Sequence, residues 1–439
     1  MTRNVTKLHP FADSAPASRS DDPTWLSALR QDGLRRYRDA GLPTPRTEAW
    51  KYTNLRRLSR MLFQPVGSSV EDVSVPEDRL PKLDAYRAVL VNGRYRADLS
   101  RLDGMPKGVH VSGIADVLRA SPAKLEPLLG RLAVHEGKPL ADLNTAYLDD
   151  GFCVFIDDGA VLDKPLHLVS IGASSGTDPV CFYPRLLVSA GADCIATIVE
   201  SHVGDGAYFS NGAAEIWVGA GAVLNHCKVQ VEGAEAYHIA DTAIHLSDRA
   251  VYDGFVFQSG GLLARNEVYA SLDGEKIECR ISGAYLATGK QHIDNTTFID
   301  HVKPDCKSRE VFKGVLDGTS RAVFQGKILV RKDAQKTDGF QLNKALLLST
   351  GAEMDSKPEL EIYADDVKCS HGATVGELDA DALFYLRARG IDLETARNLL
   401  VAAFVDDAVG EIQNAAVREA VSEMVQAQFA MRNEDEIDE

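Results

Sequence analysis

Residues 185–201, RLLVSAGADCIATIVES, and residues 214–233, AEIWVGAGAVLNHCKVQVEG, decide the fold. Each is an aliphatic and β-branched run, then a corner of Gly and Ala, then a second such run. Strands joined by tight turns look like this, and helix periodicity is nearly absent from it. The texture returns in residues 153–161, CVFIDDGAV, residues 250–261, AVYDGFVFQSGG, and residues 321–334, RAVFQGKILVRKDA. Small-residue corners fall at Gly191-Ala192, Gly221-Ala222 and Arg249-Ala250. Their spacing of roughly 30 residues predicts the stacked rungs of a solenoid. A sharper echo sets Ser308-Arg309-Glu310-Val311-Phe312-Lys313-Gly314 against Ser320-Arg321-Ala322-Val323-Phe324-Gln325-Gly326, as two neighbouring strands with the same inward side chains would read. A β-sandwich with coincidental Gly corners is the competing fold, but about 225 residues of unbroken strand texture is long for one sandwich.

On either side the period changes. Residues 1–22 are polar and offer too little apolar surface to offset ordering entropy, so a disordered arm is expected there. Residues 23–150 form a helix-bearing region. Trp25, Leu26, Leu29, Leu34 and Tyr37 follow a helical period up to Gly41-Leu42-Pro43. A second helical pattern covers Ile114, Val117 and Leu118, and past Ser121-Pro122 it resumes over Leu125, Leu128, Leu129 and Leu132. The solenoid core is placed at residues 151–376. Residues 377–431 read as a C-terminal helical domain. Asp379 caps a helix carrying Leu383, Phe384 and Leu386, and Asp392 opens a second with Ala396, Leu399, Leu400, Ala403 and Phe404. A third runs from Val417 to Phe429, and an acidic tail occupies 432–439. Three helices are too few to bury their own apolar faces, which makes a partner surface the expected outlet.

Composition removes several function classes. A chain of 439 residues holds about three domains at roughly 150 residues each and needs no disulfide or metal to stabilise its core. The net charge of −16, with no basic stripe against it, lacks the electrostatic footprint of a nucleic-acid binder. No run of 18 apolar residues spans a membrane, and the first residues lack the apolar stretch of a secretory signal. Seven scattered cysteines, an odd number, fit reduced thiols and a cytoplasmic location.

The common catalytic motifs are missing from the sequence. Gly326-Lys327 is followed by Ile328, so there is no phosphate-binding loop, and ATP hydrolysis would belong to another chain. Gly219-Ala220-Gly221 has Leu224 where a dinucleotide fingerprint needs glycine, and reads as a solenoid corner. HExxH, GxSxG and CxxC do not occur. The carboxylate pairs Asp157-Asp158 and Asp365-Asp366 support an alternative, a β-helix polysaccharide lyase or hydrolase. Adjacent strand residues point to opposite faces, however, so these pairs fit solvated turns better, and His226-Cys227 fails as a pair for the same reason. Cys369-Ser370-His371 passes that test. On a strand, positions 369 and 371 share one face about 7 Å apart, within reach of a single soft metal or sulfur species. Two donors are an incomplete site, and a second chain would have to supply the rest.

Residues 363–376, YADDVKCSHGATVG, followed by residues 383–391, LFYLRARGI, resemble the C-terminal motif of the SufB/SufD family of iron–sulfur cluster assembly proteins. Residues 45–55, PRTEAWKYTNL, resemble its N-terminal motif. Lys336-Thr337-Asp338-Gly339, Asn343, Leu346-Leu347-Leu348, Ala352-Glu353 and Lys357-Pro358 match its late-solenoid pattern. Cys369-Ser370-His371-Gly372 is similar to the SufD branch, since SufB-type chains carry an acidic residue and no cysteine there. The resemblance implies a right-handed parallel β-helix flanked by helical N- and C-terminal regions. It also implies a non-catalytic scaffold subunit of a SufB–SufC–SufD complex that helps iron enter and clusters form. SufB would dock on the edge of the β-helix, and the ATPase SufC on the C-terminal helices through Leu383, Phe384 and Leu386. His371 carries over as the metal-binding residue at the SufB interface, and Cys369 matches the motif beside it. The cluster would be transient and shared with SufB, with none held tightly by this chain alone, and a homodimer is the alternative to that complex when the chain is by itself.

Overall fold

The computed structural model of the chain describes Phe11 and residues 22–66, 73–132, 137–174 and 178–435. Asp193, Gly221, Arg249, Lys276, Asp305 and Lys336 all adopt a positive φ, between 53° and 69°. Each stands two residues before a strand of the same sheet, the strands beginning at Ile195, Val223, Val251, Glu278, Lys307 and Asp338. A left-handed residue reverses the chain within one step. Glycine takes that conformation without cost and aspartate at little, but at Arg249 and Lys336 the stacked neighbours impose it.

Between corners, successive strands go alternately to an eleven-stranded and a ten-stranded sheet. The result is a mainly β chain, a parallel β-solenoid of about seven turns with helices at both ends. Tyr237–Leu246, for example, pairs in parallel with Leu263–Leu272, which pairs in turn with His292–His301. Parallel pairing begins upstream of residue 151, where Tyr86–Val91 lies along Leu166–Ala173. Side chains from both sheets meet in one continuous core, including Ile198, Leu224, Tyr252 and Ile281 from one and Val188, Ile216 and Ile244 from the other. The echoed segments lie on consecutive strands in opposite sheets rather than on hydrogen-bonded neighbours. Phe312 and Phe324 face each other across the core, with ring centroids 5.0 Å apart.

The outer face of the eleven-stranded sheet is covered by α1 (Thr24–Ala40), α2 (Ile114–Ala120) and α3 (Pro139–Ala146). Leu26, Ile114 and Leu129 pack on Cys153 and Leu187, while Tyr37, Leu140 and Leu143 pack near Phe209 and Tyr237. The helix expected over Leu125 to Leu132 does not form. A short 3-10 turn at Pro122–Lys124 leads into turns, and Gly130 takes a φ of 72°. The amides of Gly130, Arg131 and Leu132 donate instead to the buried Glu215 carboxylate at 2.7–2.8 Å, a set of bonds a helix could not offer.

At the other end are α4 (Ala380–Ala388), α5 (Leu393–Val409) and α6 (Ala415–Asp435). Val401, Val405, Val409, Val417 and Val421 pack on Val229, Phe255, Phe257 and Leu286, on the outer face of the ten-stranded sheet. The apolar faces of α5 and α6, expected to need a partner, are therefore satisfied largely by the chain's own solenoid. The N-terminal arm lies outside the described residues apart from Phe11, buried beside Phe63 and Phe209, and Asp22, which pairs with Arg30. Residues 436–439 of the acidic tail lie outside them too. Among the described residues no helix is long and apolar enough to cross a membrane.

Candidate functional site

Parallel stacking in register makes columns of side chains along the solenoid. One column of the ten-stranded sheet runs through Leu166, Ile198, His226, Gly254, Ile281, Glu310 and Gln341 to His371. The next runs through Ala196, Leu224, Tyr252, Cys279, Ser308 and Gly339 to Cys369. Earlier members of both columns, such as Ile198, Ile281, Leu224 and Cys279, lie in the core between the sheets. Cys369 and His371 thus occupy core-facing positions on the last rung. His371 is exposed and Cys369 half-buried because no further rung covers them.

That rung ends the solenoid. Glu353–Ile362 and Lys368–Gly376 are the terminal strands of their sheets, each paired on one side. Their free edges present unpaired backbone donors and acceptors, the form a strand from another chain completes. Ile362, Tyr363 and Val375 are exposed at the same end. Exposed apolar side chains and an open hydrogen-bonding edge therefore share the solenoid end that carries Cys369 and His371.

Of the seven cysteines, all free thiols, Cys369 is the one not fully buried. Burial still pushes its thiol above the ordinary value, and the nearby Asp338 charge adds to that, while a backbone hydrogen bond from Gly339 opposes both. The group is a neutral thiol until a metal or a base displaces its proton. Among the described residues no three His, Cys, Asp or Glu side chains converge to hold a metal. The other expected candidates are dispersed. His226 points into the core, 2.7 Å from Glu200 and 2.8 Å from the Tyr252 hydroxyl, while Cys227 lies on the outer face under the C-terminal helices. Asp157 and Asp158 sit exposed at a turn, as do Asp365 and Asp366. On α4, Phe384 is 75% exposed and Leu383 and Leu386 are half-buried, so Phe384 presents the larger free apolar surface.

A polar interior is hardly visible in the sequence. Glu200, His202, His226, Lys228, Glu232 and His238 are all buried between the sheets. Glu232 receives the Tyr208 hydroxyl at 2.9 Å and Gln230 Nε2 at 2.8 Å, and lies 2.9 Å from His238 Nδ1. Alternation places these residues inward, yet it cannot say whether an inward polar residue finds its partner on the next rung. Nearer the open end, Glu310 is fully buried and accepts from Gln341 Nε2 at 2.6 Å. Burial pushes its carboxyl up to about 7.

A consequence for stability follows from Glu310. A carboxyl raised on folding contributes stability that is present below its unfolded value near 4.5 and lost as pH rises through about 7. The loss amounts to roughly 3–4 kcal/mol at most, at about 1.4 kcal/mol per unit. Glu310→Gln keeps an acceptor for Gln341 and carries no charge. It should match the wild type in chemical unfolding at pH 4.5 and exceed it at pH 8, and equal stabilities at pH 8 would show that Glu310 is ionised without cost.

Two family descriptions match the chain. Residues 172–404 match the SUF system FeS cluster assembly SufBD core domain, and residues 4–168 match the SufBD protein N-terminal region. The chain is 32% identical to the iron–sulfur cluster assembly protein SufD of Escherichia coli over 417 residues, covering 93% of each. It is 30% identical to an iron–sulfur cluster assembly SufBD family protein of Synechocystis over 423 residues, covering 94% of this chain and 93% of the relative.

Proposed function

The chain belongs to the SufBD family of iron–sulfur cluster assembly proteins, and from that premise we propose that it is the SufD-type, non-catalytic subunit of a SufB–SufC–SufD scaffold. It helps iron enter and a nascent cluster form where its open solenoid end meets SufB. The observation that carries this reading is the pairing of an uncapped β-edge with a Cys369–His371 donor set that is incomplete alone. A partner strand would complete the hydrogen-bond ladder and bring the missing ligands in the same act. A neutral imidazole and a thiolate suit iron in a sulfur-rich site. Cluster and iron are cargo in this scheme. The sequence has no phosphate-binding loop, so nucleotide turnover falls to SufC.

Co-purification with SufB and SufC, followed by anaerobic reconstitution with iron and sulfide, tests the reading. A stable complex whose cluster absorbance depends on this chain is expected. A chain that stays a monomer or a homodimer in that mixture would refute the scaffold role.

SufC is assigned to α4 and the outer side of α5, where Phe384 and Tyr385 of the first and Leu393 and Leu399 of the second remain exposed although the inner side of α5 is covered. Exposed aromatic anchors of this kind concentrate binding energy. Phe384→Asp should weaken SufC retention by about thirtyfold or more, at about 2 kcal/mol or more for a lost anchor, and leave SufB binding and thermal stability unchanged. Undiminished SufC binding would move the interface off this face.

A further inference from the structure

The last rungs contain an acceptor with nothing to accept. Gln341 is fully buried one rung below His371, directly beneath it in register and on the same face. Its Nε2 donates to Glu310 at 2.6 Å, which fixes the amide, and its Oε1 has no hydrogen-bond partner. The site has also been cleared to admit this side chain. On the facing sheet, a Cβ at Gly326 would collide with the Gln341 amide, so glycine in the second echoed segment makes room for it. An unpaired buried acceptor is destabilising, and the fold carries that cost without return while His371 is free.

We propose that Gln341 is a positioning residue for His371: in the assembled complex its Oε1 accepts the imidazole N–H, fixing the tautomer and aiming the other ring nitrogen at iron. A histidine that ligates a metal generally donates its second N–H to such an acceptor, which orients the ring and makes the ligating nitrogen more basic. Adjacent rungs lie about 4.8 Å apart, so a side chain stacked beneath another meets it as its partner buries it. Glu310 holds the amide in the orientation that leaves Oε1 for the imidazole. The proposal rests on the reading of His371 as a cluster ligand.

The test uses the SufB–SufC–SufD complex carrying Gln341→Leu, Gln341→Glu, His371→Ala, or His371→Ala with Gln341→Leu. Complex yield, anaerobic cluster formation and the 15N-histidine tautomer signature are read on the same preparations. Gln341→Leu should assemble normally and lose about tenfold in cluster formation, the low end for removing a ligand's hydrogen-bond partner. Gln341→Glu keeps an acceptor and should stay within about threefold of wild type. The double variant should be no worse than His371→Ala alone, because an effect transmitted through the imidazole vanishes with it. Normal cluster formation by Gln341→Leu beside a defective His371→Ala would overturn the positioning role alone, and so would an additive double variant. Normal cluster formation by His371→Ala would instead overturn the reading beneath it. If Gln341→Leu fails to fold, an unchanged His371 tautomer in Gln341→Glu at pH 6 and pH 8, matching wild type, supports the proposal, and a tautomer mixture in wild type itself refutes it.

Discussion

His371→Ala is expected to fold, to assemble with SufB and SufC at wild-type yield, and to form clusters at least about a hundredfold less well, since losing a ligand exceeds losing its orienting partner. The separation of the two effects comes from position. The imidazole occupies a core-facing column, but on the rung where the column ends, so it is exposed in the free chain and contributes little packing. Surface substitutions of this kind change stability by about 0.5 kcal/mol or less. Alanine cannot ligate iron or pass a proton to a bound sulfur. A histidine that acted only in packing would show its defect first in thermal stability or complex yield. Wild-type cluster absorbance in the variant, or a defect that tracks failed assembly throughout, would sink a direct role. Cys369→Ser is the control on the same face. Burial keeps that thiol neutral, and serine preserves its size, so a milder loss than that of His371→Ala is expected.

The solenoid was legible because its corners repeat, and each corner is a local event. Gly221 and Arg249 announced chain reversals within single short stretches, and the left-handed residues found there recur on every rung from Asp193 to Lys336. Long-range decisions were not legible. The apolar Leu125, Leu128, Leu129 and Leu132 keep a helical period, yet Glu215, more than 80 residues away in sequence, captures the amides that a helix would have used. The wholly buried α3 is short and has no solvent-exposed face, so its polar Asp142, Asn144 and Thr145 mark no amphipathic period. At the site, Cys369 and His371 could be placed on one face by counting alone. That the face would be core-facing yet open needed the number of rungs, and Gln341 and Glu310 could not be connected to His371 without the register.

The structure gives the N-terminal motif around Trp50, a family likeness in the sequence, a physical reason. Arg265 is fully buried, its guanidinium 4.0 Å from the Trp50 ring centroid, with Nη2 donating to the Ala49 carbonyl at 2.8 Å and Nε to Glu267 at 2.7 Å. It also pairs with Asp294, which receives the Thr53 hydroxyl. Further along, Gln325 donates to the same Ala49 carbonyl at 3.1 Å, and Lys357, on the terminal strand, pairs with Glu48 at 2.6 Å. The motif is a brace laid across consecutive rungs up to the open end. Arg265→Ala would leave the buried Asp294 carboxylate without its cation, which costs about 3–5 kcal/mol in comparable pairs. Arg265→Lys restores charge but neither the fork nor the stacking plane, so it should recover only part of the loss. Asp294→Asn in the Arg265→Ala background should recover more, by removing the stranded charge. Chemical unfolding measures all three, and a loss below about 1 kcal/mol in Arg265→Ala would mean the brace is ornamental. Because the brace reaches the strand beside His371 without touching the imidazole, its functional defect should appear as reduced assembly, with normal cluster formation in whatever complex does form.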